Sequence, residues 1–362
     1  MLDERYMKLA LELAKSTEGQ TSPNPVVGAV IVKNNQVVGV GAHLKAGEPH
    51  AEKHALAMAG DEAKGSTIYV TLEPCAHHGR TPPCADALVE AQVARVVVAT
   101  KDSNPKVAGK GIEKLRKAGI LVDEGVMERE ARELNTTFFH FLKENRPFVT
   151  LKSATSLDGK IATSTGESKW ITGPDARFDV HRLRHQNDGI LVGVNTILAD
   201  DPALTTRLPG GGNHPIRIVL DHTLKIPLDS VVVTDKTTPT WVITSHKYDF
   251  EKKTALESMG VPVFSLPSAT IEVDDLLTVL GNQGVTSLLV EGGGRVNDSF
   301  LRSGLFDKVI VYMAPKLIGG DNGYSSYAGI GIERLSDCVD LRIEDVTMIG
   351  KDLKITAVKE ES

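Results

Sequence analysis

The chain has 362 residues, enough for two domains that each bury a core, with 41% hydrophobic and 24% charged residues and no apolar run long enough to cross a bilayer. Lys and Arg total 41 against 47 for Asp and Glu, a formal charge of -6 without a cationic block, which disfavours neutralising a long nucleic acid and indicates no membrane role. The start Met1-Leu2-Asp3-Glu4-Arg5 lacks the basic opening and apolar core of an export signal, so a cytoplasmic location is expected, where Cys75, Cys84 and Cys338 stay reduced.

In chain order, Tyr6, Met7, Leu9, Ala10, Leu13 and Ala14 share one face of a helix over 3–15. The β-branched runs 26–32 and 37–42, separated by Lys33-Asn34-Asn35-Gln36, predict a hairpin. A helix follows from Ala51, so that His50 stands at its start and Glu52 in its first turn. A strand over 67–72 ends in Glu73-Pro74-Cys75, and Cys84 opens the next helix. Alternation continues with a strand at 95–99, a helix at 111–118, a strand at 120–123 and one helix over about 126–143, which predicts a layered α/β domain. The polar segment Lys143-Glu144-Asn145-Arg146-Pro147 marks a boundary, giving domains over 1–145 and 147–362. The second is also α/β, with strands expected from 148 and at 189–193, 216–220, 230–234, 240–244, 286–291 and 307–313, and helices at 174–187, 251–259 and 273–282. The runs 341–344 and 353–358 read as antiparallel strands that close its sheet.

His50, Cys75 and Cys84 are three zinc ligands of the catalytic kind, which leave a fourth position for water, and Glu52 is an unligated carboxylate able to move protons between water and a departing amine. This is the signature of the zinc deaminases as a class. The zinc-protease motif does not apply, because Ala51 separates His50 from Glu52. Two other readings use the same residues: a Cys75–Cys84 disulfide, and a structural zinc site completed by His54, in which Glu52 would have no task.

Deaminase cysteines usually stand two residues apart, whereas eight separate Cys75 from Cys84. The segment Pro74-Cys75-Ala76-His77-His78-Gly79-Arg80-Thr81-Pro82-Pro83-Cys84, with Ser22-Pro23-Asn24-Pro25-Val26-Val27-Gly28-Ala29-Val30, resembles the bifunctional deaminase/reductase family of riboflavin biosynthesis. Leu151-Lys152-Ser153-Ala154-Thr155-Ser156-Leu157-Asp158-Gly159, Ser168-Lys169-Trp170-Ile171-Thr172, Gly193-Val194-Asn195-Thr196 and Asp200-Asp201-Pro202-Ala203-Leu204-Thr205-Thr206-Arg207 extend the resemblance over nearly the whole chain. It implies a cytidine-deaminase-like three-layer domain followed by a dihydrofolate-reductase-like domain, with zinc and NADPH as cofactors, a small phosphorylated pyrimidine as substrate, and a homo-oligomer.

The resemblance also implies roles by position. Asn24 and His43 would meet the pyrimidine, and His77, Arg80, Asp102 and Asn104 the sugar-phosphate end. In the second domain Lys152 and Asp200 are candidates for polarising or protonating the opened sugar, and Glu291 for holding its hydroxyls. Ser168, Arg184 and Arg207 would contact the substrate phosphate, with Leu204 near the substrate. Ala154, Trp170, Thr196, Asp200 and, more weakly, Thr223 would lie near the cofactor. So would Gly293, Gly294, Arg295, Val296, Asn297, Asp298 and Ser299, at a glycine-rich strand-to-helix turn where backbone N–H groups can approach a phosphate. Two further readings stay open: a zinc deaminase of another nucleotide with a nucleotide-sensing second domain, and a non-enzymatic structural-zinc scaffold that binds nucleotides.

Overall fold

The computed structural model describes residues 2–76, 83–103, 108–320 and 324–360. The chain divides into two compact units, Met1–Glu144 and Asn145–Ser362.

In the first unit the elements are α1 (Leu2–Lys15), β1 (Gly28–Lys33), β2 (Gln36–Ala42), α2 (Ala51–Ala59), β3 (Thr67–Leu72), α3 (Cys84–Glu90), β4 (Arg95–Thr100), α4 (Lys110–Lys117), β5 (Leu121–Glu124), α5 (Glu128–Leu134) and α6 (Thr136–Glu144). The sheet order is β2-β1-β3-β4-β5, antiparallel through the hairpin and β3, then parallel. Ala51, Ala55, Leu88 and Leu115 pack on one face of the sheet and Met7, Ala10 and Ala131 on the other, which makes three layers. In α1 it is Leu11 rather than the half-exposed Leu9 that turns inward. The expected helix over 126–143 is broken at Asn135, whose side chain bonds backbone outside the helices.

Glycines decide how close α2 lies. A Cβ at Gly39 would stand 2.3 Å from the Ala55 carbonyl oxygen, and one at Gly41 2.2 Å from that of Ala51. Only bare backbone lets α2 rest on β2 at this distance, and that contact sets the height of His50 and Glu52 above the sheet.

The second unit contains β6 (Phe148–Ser156), β7 (Lys160–Ala162), α7 (Pro174–Gln186), β8 (Gly189–Gly193), α8 (Val194–Asp200), β9 (Ile216–Leu220), α9 (Val231–Thr234), β10 (Thr240–Thr244), α10 (Phe250–Ser258), β11 (Val263–Ser265), α11 (Val273–Asn282), β12 (Ser287–Val290), α12 (Gly294–Ser303), β13 (Lys308–Ala314), β14 (Tyr324–Ser325), β15 (Leu341–Ile349) and β16 (Asp352–Lys359). Nine strands run in the order β11-β10-β9-β8-β12-β6-β13-β16-β15. They are parallel from β11 to β13, and the tail adds β16 and β15 antiparallel, as its alternation predicts. The near-continuous apolar runs of β8, β9 and β12 suit strands covered on both faces.

The run at 230–234 is a helical turn, α9, and not a strand. Three valines carry no period that separates the two, and the backbone carbonyl of Ser230 accepts from the N–H groups of Val233 and Thr234. Val232 and Val233 are buried in the core beside Ile190 and Val219.

Candidate active sites

In the first unit, His50 caps α2 with extended backbone, Glu52 lies in the first turn, and Cys84 is the first residue of α3. The His50 Nδ1 atom is 3.6 Å from Cys75 Sγ and 3.3 Å from Cys84 Sγ, and the three ligand atoms lie within 4.8 Å of one another. Zinc bonds of about 2.3 Å to sulfur and about 2.0–2.1 Å to nitrogen, at a tetrahedral angle, require N···S separations of about 3.6 Å. Both N···S distances lie within about 0.3 Å of that value, so the donor set fits the metal. All three cysteines are free thiols, so no Cys75–Cys84 disulfide forms. His54 is not in the ligand group, and its buried Nε2 has no hydrogen-bond partner among the described residues.

The Cys75 thiol is pushed down to about 4, first by a side-chain hydrogen bond from Cys84 and then, against burial, by His50, while Cys84 is pushed up by the same shared contact. The backbone N–H of Cys84 also donates to Cys75 Sγ at 3.3 Å. Glu52, only 3% exposed, is pushed up to about 7, chiefly by burial. A carboxyl group poised near neutrality can both take and give a proton.

Asn24 and His43 are brought together behind this group. Asn24 Nδ2 lies 3.1 Å from His43 Nε2, while His43 Nδ1 faces the Pro49 carbonyl at 3.3 Å. The assignment that satisfies both contacts puts the proton on Nδ1 and the lone pair on Nε2. Burial pushes the His43 pKa down, in keeping with a neutral ring. Both ring nitrogens are thus engaged within the protein, and His43 orients the Asn24 amide. The backbone N–H of Asp102 donates to Glu73 Oε2 at 3.4 Å, a carboxylate that also accepts from Gly109, Gly111 and Ile112. His77, Arg80 and Asn104 lie outside the described residues.

The second unit has a cavity of about 490 Å³, and Lys152, Ala154, Ser168, Trp170, Arg184, Asp200, Arg207, Glu291 and Asn297 all line it. Glu291 is its hub. Arg184 Nε donates to Oε1 at 2.8 Å and Arg184 Nη2 to Oε2 at 3.0 Å, and Lys152 Nζ reaches Oε2 at 3.4 Å. Burial raises the Glu291 pKa, but the charges of Arg184 and then Lys152 outweigh it and bring it down to about 2. Arg184 also donates to the Thr205 carbonyl, so much of its donor capacity is spent before any phosphate arrives. Asp200 pairs with Lys169 at 2.8 Å on the more exposed rim.

The glycine run separates into roles. A Cβ on Gly292 would meet Val296 at 2.5 Å and one on Gly294 the Ser325 carbonyl at 2.3 Å, so packing alone requires both glycines. A Cβ on Gly293 would meet nothing within 4 Å, and α12 has no side-chain cap there. The space beside Gly293 is therefore open at the start of α12, the kind of helix terminus that can meet a cofactor phosphate. Arg295 and Ser299 are exposed, Val296 packs against Gly292 and Gly193, and Asn297 Nδ2 donates to the Ser326 carbonyl. Asp298 is buried and paired with Arg302. Of the rest, Thr196 is half-buried on α8, Leu204 is buried in the core beside Ile197, and Thr223 is exposed beyond β9.

Sequence reasoning missed His181, Arg177 and Lys169, which also line the cavity. Burial, then Arg184 and Arg207, push His181 down to about 4, and its Nδ1 accepts from the Arg207 N–H. Arg177 stacks over Trp170 at 4.5 Å. The signal was present: Arg177, His181 and Arg184 follow i, i+4, i+7 on α7 and so share a face.

A three-ligand metal site with a buried carboxylate on one unit, and a cation-lined cavity with an open helix start on the other, define a two-site enzyme: a zinc deaminase joined to a reductase. Residues 1–100 match the cytidine and deoxycytidylate deaminase zinc-binding region, and residues 147–355 match the RibD C-terminal domain. The riboflavin biosynthesis protein RibD of Aquifex aeolicus is 49% identical over 98% of both chains, and that of Bacillus amyloliquefaciens is 48% identical over 99% of this chain and 97% of its own. Among solved structures, RibD of Acinetobacter baumannii superposes with a TM-score of 0.90 at 39% identity, covering 99% of each chain. The chain belongs to the RibD family of bifunctional riboflavin-biosynthesis deaminase/reductases.

Proposed function

We propose that residues 1–145 deaminate a diaminopyrimidinone bearing a ribosylamino 5-phosphate, and that residues 147–362 then reduce its ribosyl group to ribityl with NADPH. The observation that carries this reading is the pairing of two chemically distinct sites on one chain: the His50, Cys75, Cys84 triad beside Glu52, and the cavity centred on Glu291.

In the first step water adds to the ring carbon that bears the amine, the C–N bond breaks and ammonia leaves. Zinc, when bound by the triad, supplies the Lewis acidity that makes water nucleophilic near neutral pH. Glu52 takes the proton that the water gives up and delivers it towards the departing nitrogen. Asn24, its amide fixed by His43, meets the pyrimidine edge.

In the second step the ribosylamine opens to an imine, NADPH supplies hydride for the first sugar carbon, and the nitrogen gains a proton. The cavity carries Lys152, Lys169, Arg177, Arg184 and Arg207 against Asp200 and Glu291, a local excess of three positive charges in a chain of net -6. That focuses anionic phosphates into the site. Lys152 is the cation closest to a proton-transfer role, held in place by Glu291, while Asp200 is tied to Lys169 at the rim.

The test gives purified protein the diamino substrate first without and then with NADPH. Ammonia followed by NADPH oxidation supports the assignment. Ammonia alone favours a sensing second domain, and neither product from folded, zinc-loaded protein favours a scaffold.

The reading includes a cytoplasmic location and a homo-oligomer. Ile343, Val346 and Met348 on edge strand β15 are 61%, 54% and 60% exposed, and the bulge at 343–345 keeps all three, with Leu341, on one face. A second copy would cover this face. Sedimentation should show an assembly that Val346→Lys weakens.

A further inference from the structure

Asn24 stands in a segment that is neither helix nor strand, yet its backbone is accounted for bond by bond. Its N–H donates to the Thr21 carbonyl at 2.9 Å, and Thr21 Oγ1 donates to the Asn24 carbonyl at 3.1 Å. Further along, the Val27 carbonyl accepts from the His43 N–H, and the Gly28 N–H donates to Thr71 Oγ1. Between them lies Val26, whose partner comes from 109 residues away. Asn135 Oδ1 accepts from the Val26 N–H at 2.9 Å, and Asn135 Nδ2 donates to the Val26 carbonyl at 3.0 Å.

We propose that Asn135 is a positioning residue for deamination, whose side-chain amide clamps Val26 and thereby holds Asn24 at the height the substrate requires. The side chain reproduces one rung of a β-ladder: a single planar amide pairs with both polar groups of one residue, as a neighbouring strand would. Asn135 is 3% exposed, and its Nδ2 also reaches the Ala131 carbonyl at 3.4 Å, so the amide is fixed from its own side too. The clamp requires Asn135 to leave the helical path between α5 and α6, which explains the break in that helix. Only an amide offers donor and acceptor side by side at this length, since Asp lacks the donor when ionised, Leu lacks both, and Gln is one methylene too long. The inference rests on the reading of Asn24 as a substrate contact, because Asn135 acts through it.

The experiment measures deamination kinetics of the zinc-loaded full chain for wild type, N24A, N135A and the double variant. The reductase rate of the same chains, zinc content and thermal melting serve as controls. N135A should raise KM for the diaminopyrimidine by roughly tenfold, as losing a fixed polar contact does. The kcat should stay within about threefold, zinc should remain bound, and adding N135A to N24A should change KM by less than about twofold, because the two share one contact. N24A with wild-type KM would refute both the Asn24 contact and the clamp. A raised KM in N24A with an undiminished further effect of N135A would refute the clamp alone, as would an N135A enzyme of unchanged KM. If N135A fails to retain zinc or to fold, the near-isosteric N135D, which keeps the acceptor and loses the donor, takes its place in the same cycle with the same expected split.

Discussion

Replacing Glu291 by Gln should remove the anion on which the second cavity is organised. The side chain is 10% exposed, and its pKa stands at about 2 against an ordinary 4.5. A depression of that size corresponds to about 3 kcal/mol favouring the carboxylate. The pKa is depressed, so this stabilisation is fully present above pH 4.5 and is lost as pH falls from 4.5 towards 2. Gln keeps one acceptor for Arg184 Nε but turns an NH2 towards Arg184 Nη2 and Lys152 Nζ, leaving two buried cations without their counter-ion. Losing one partner of a buried pair costs about 3–5 kcal/mol, in agreement with the pKa argument. For a unit of this size that is a drop in melting temperature of about 6–20 °C. Calorimetry from pH 7 to pH 3 on wild type and E291Q should show the gap narrowing as the solution becomes more acidic, with the transition of the first unit unmoved. Hydride transfer should fall by roughly a hundredfold, since Lys152 loses its anchor. A melting difference that is absent at pH 7, or that persists unchanged at pH 3, would refute the assignment of Glu291 as an ionised hub.

Glu52→Gln should cut ammonia release by about 10²–10⁴-fold while zinc content, and NADPH oxidation with the already deaminated substrate, stay at wild-type level in one preparation. Cys84→Ser should lose zinc and deamination together, and chelation of the wild type should do the same without slowing the reductase, checked by elemental analysis alongside both assays. Lys152→Ala should abolish most hydride transfer but leave ammonia release intact. Gly41→Ala should push α2 off β2, destabilising the first unit by about 1–3 kcal/mol in denaturant titration, because its Cβ would stand 2.2 Å from a carbonyl oxygen.

Much of this was legible in the residues. The candidate ligands and Glu52 meet as their spacing implies, because His50, Glu52 and Cys84 stand at helix starts and Cys75 shortly follows β3, elements that periodicity locates. The tail strands were readable for the same reason. What failed was decided by partners distant in the chain. Asn135 breaks a helix that its own neighbours favour because Val26 requires its amide, and nothing within the window 126–143 reports that demand. Val231–Thr234 coils, with the Ser230 carbonyl accepting from Val233 and Thr234, although its valines suit a strand equally well. The run 292–294 reads as one phosphate-binding motif, yet two of its glycines answer to Val296 and Ser325 and only Gly293 is open. Sequence reports which residues could do the chemistry, whereas the neighbours that free or occupy them appear only on folding.

The two glutamates show how far neighbours govern chemistry. Glu52 and Glu291 are the same side chain, each nearly withdrawn from water, and burial alone would raise both. In the metal-free site Glu52 faces the His50 imidazole, which lowers its pKa, and the Cys75 sulfur, which raises it, and burial prevails, so its pKa rises to about 7. Glu291 is gripped by a guanidinium and an ammonium, so charge prevails and its pKa falls to about 2. A group near 7 exchanges protons at working pH and can serve a reaction that must move one from water to an amine. A group near 2 does not, and stays an anion gripped by two cations. Removing Arg184 would take away the charge that does most to hold the Glu291 pKa down, and so weaken the anion that anchors Lys152. The opposite shifts of the two carboxylates therefore lie in the first neighbours of each, since residue type and burial are shared.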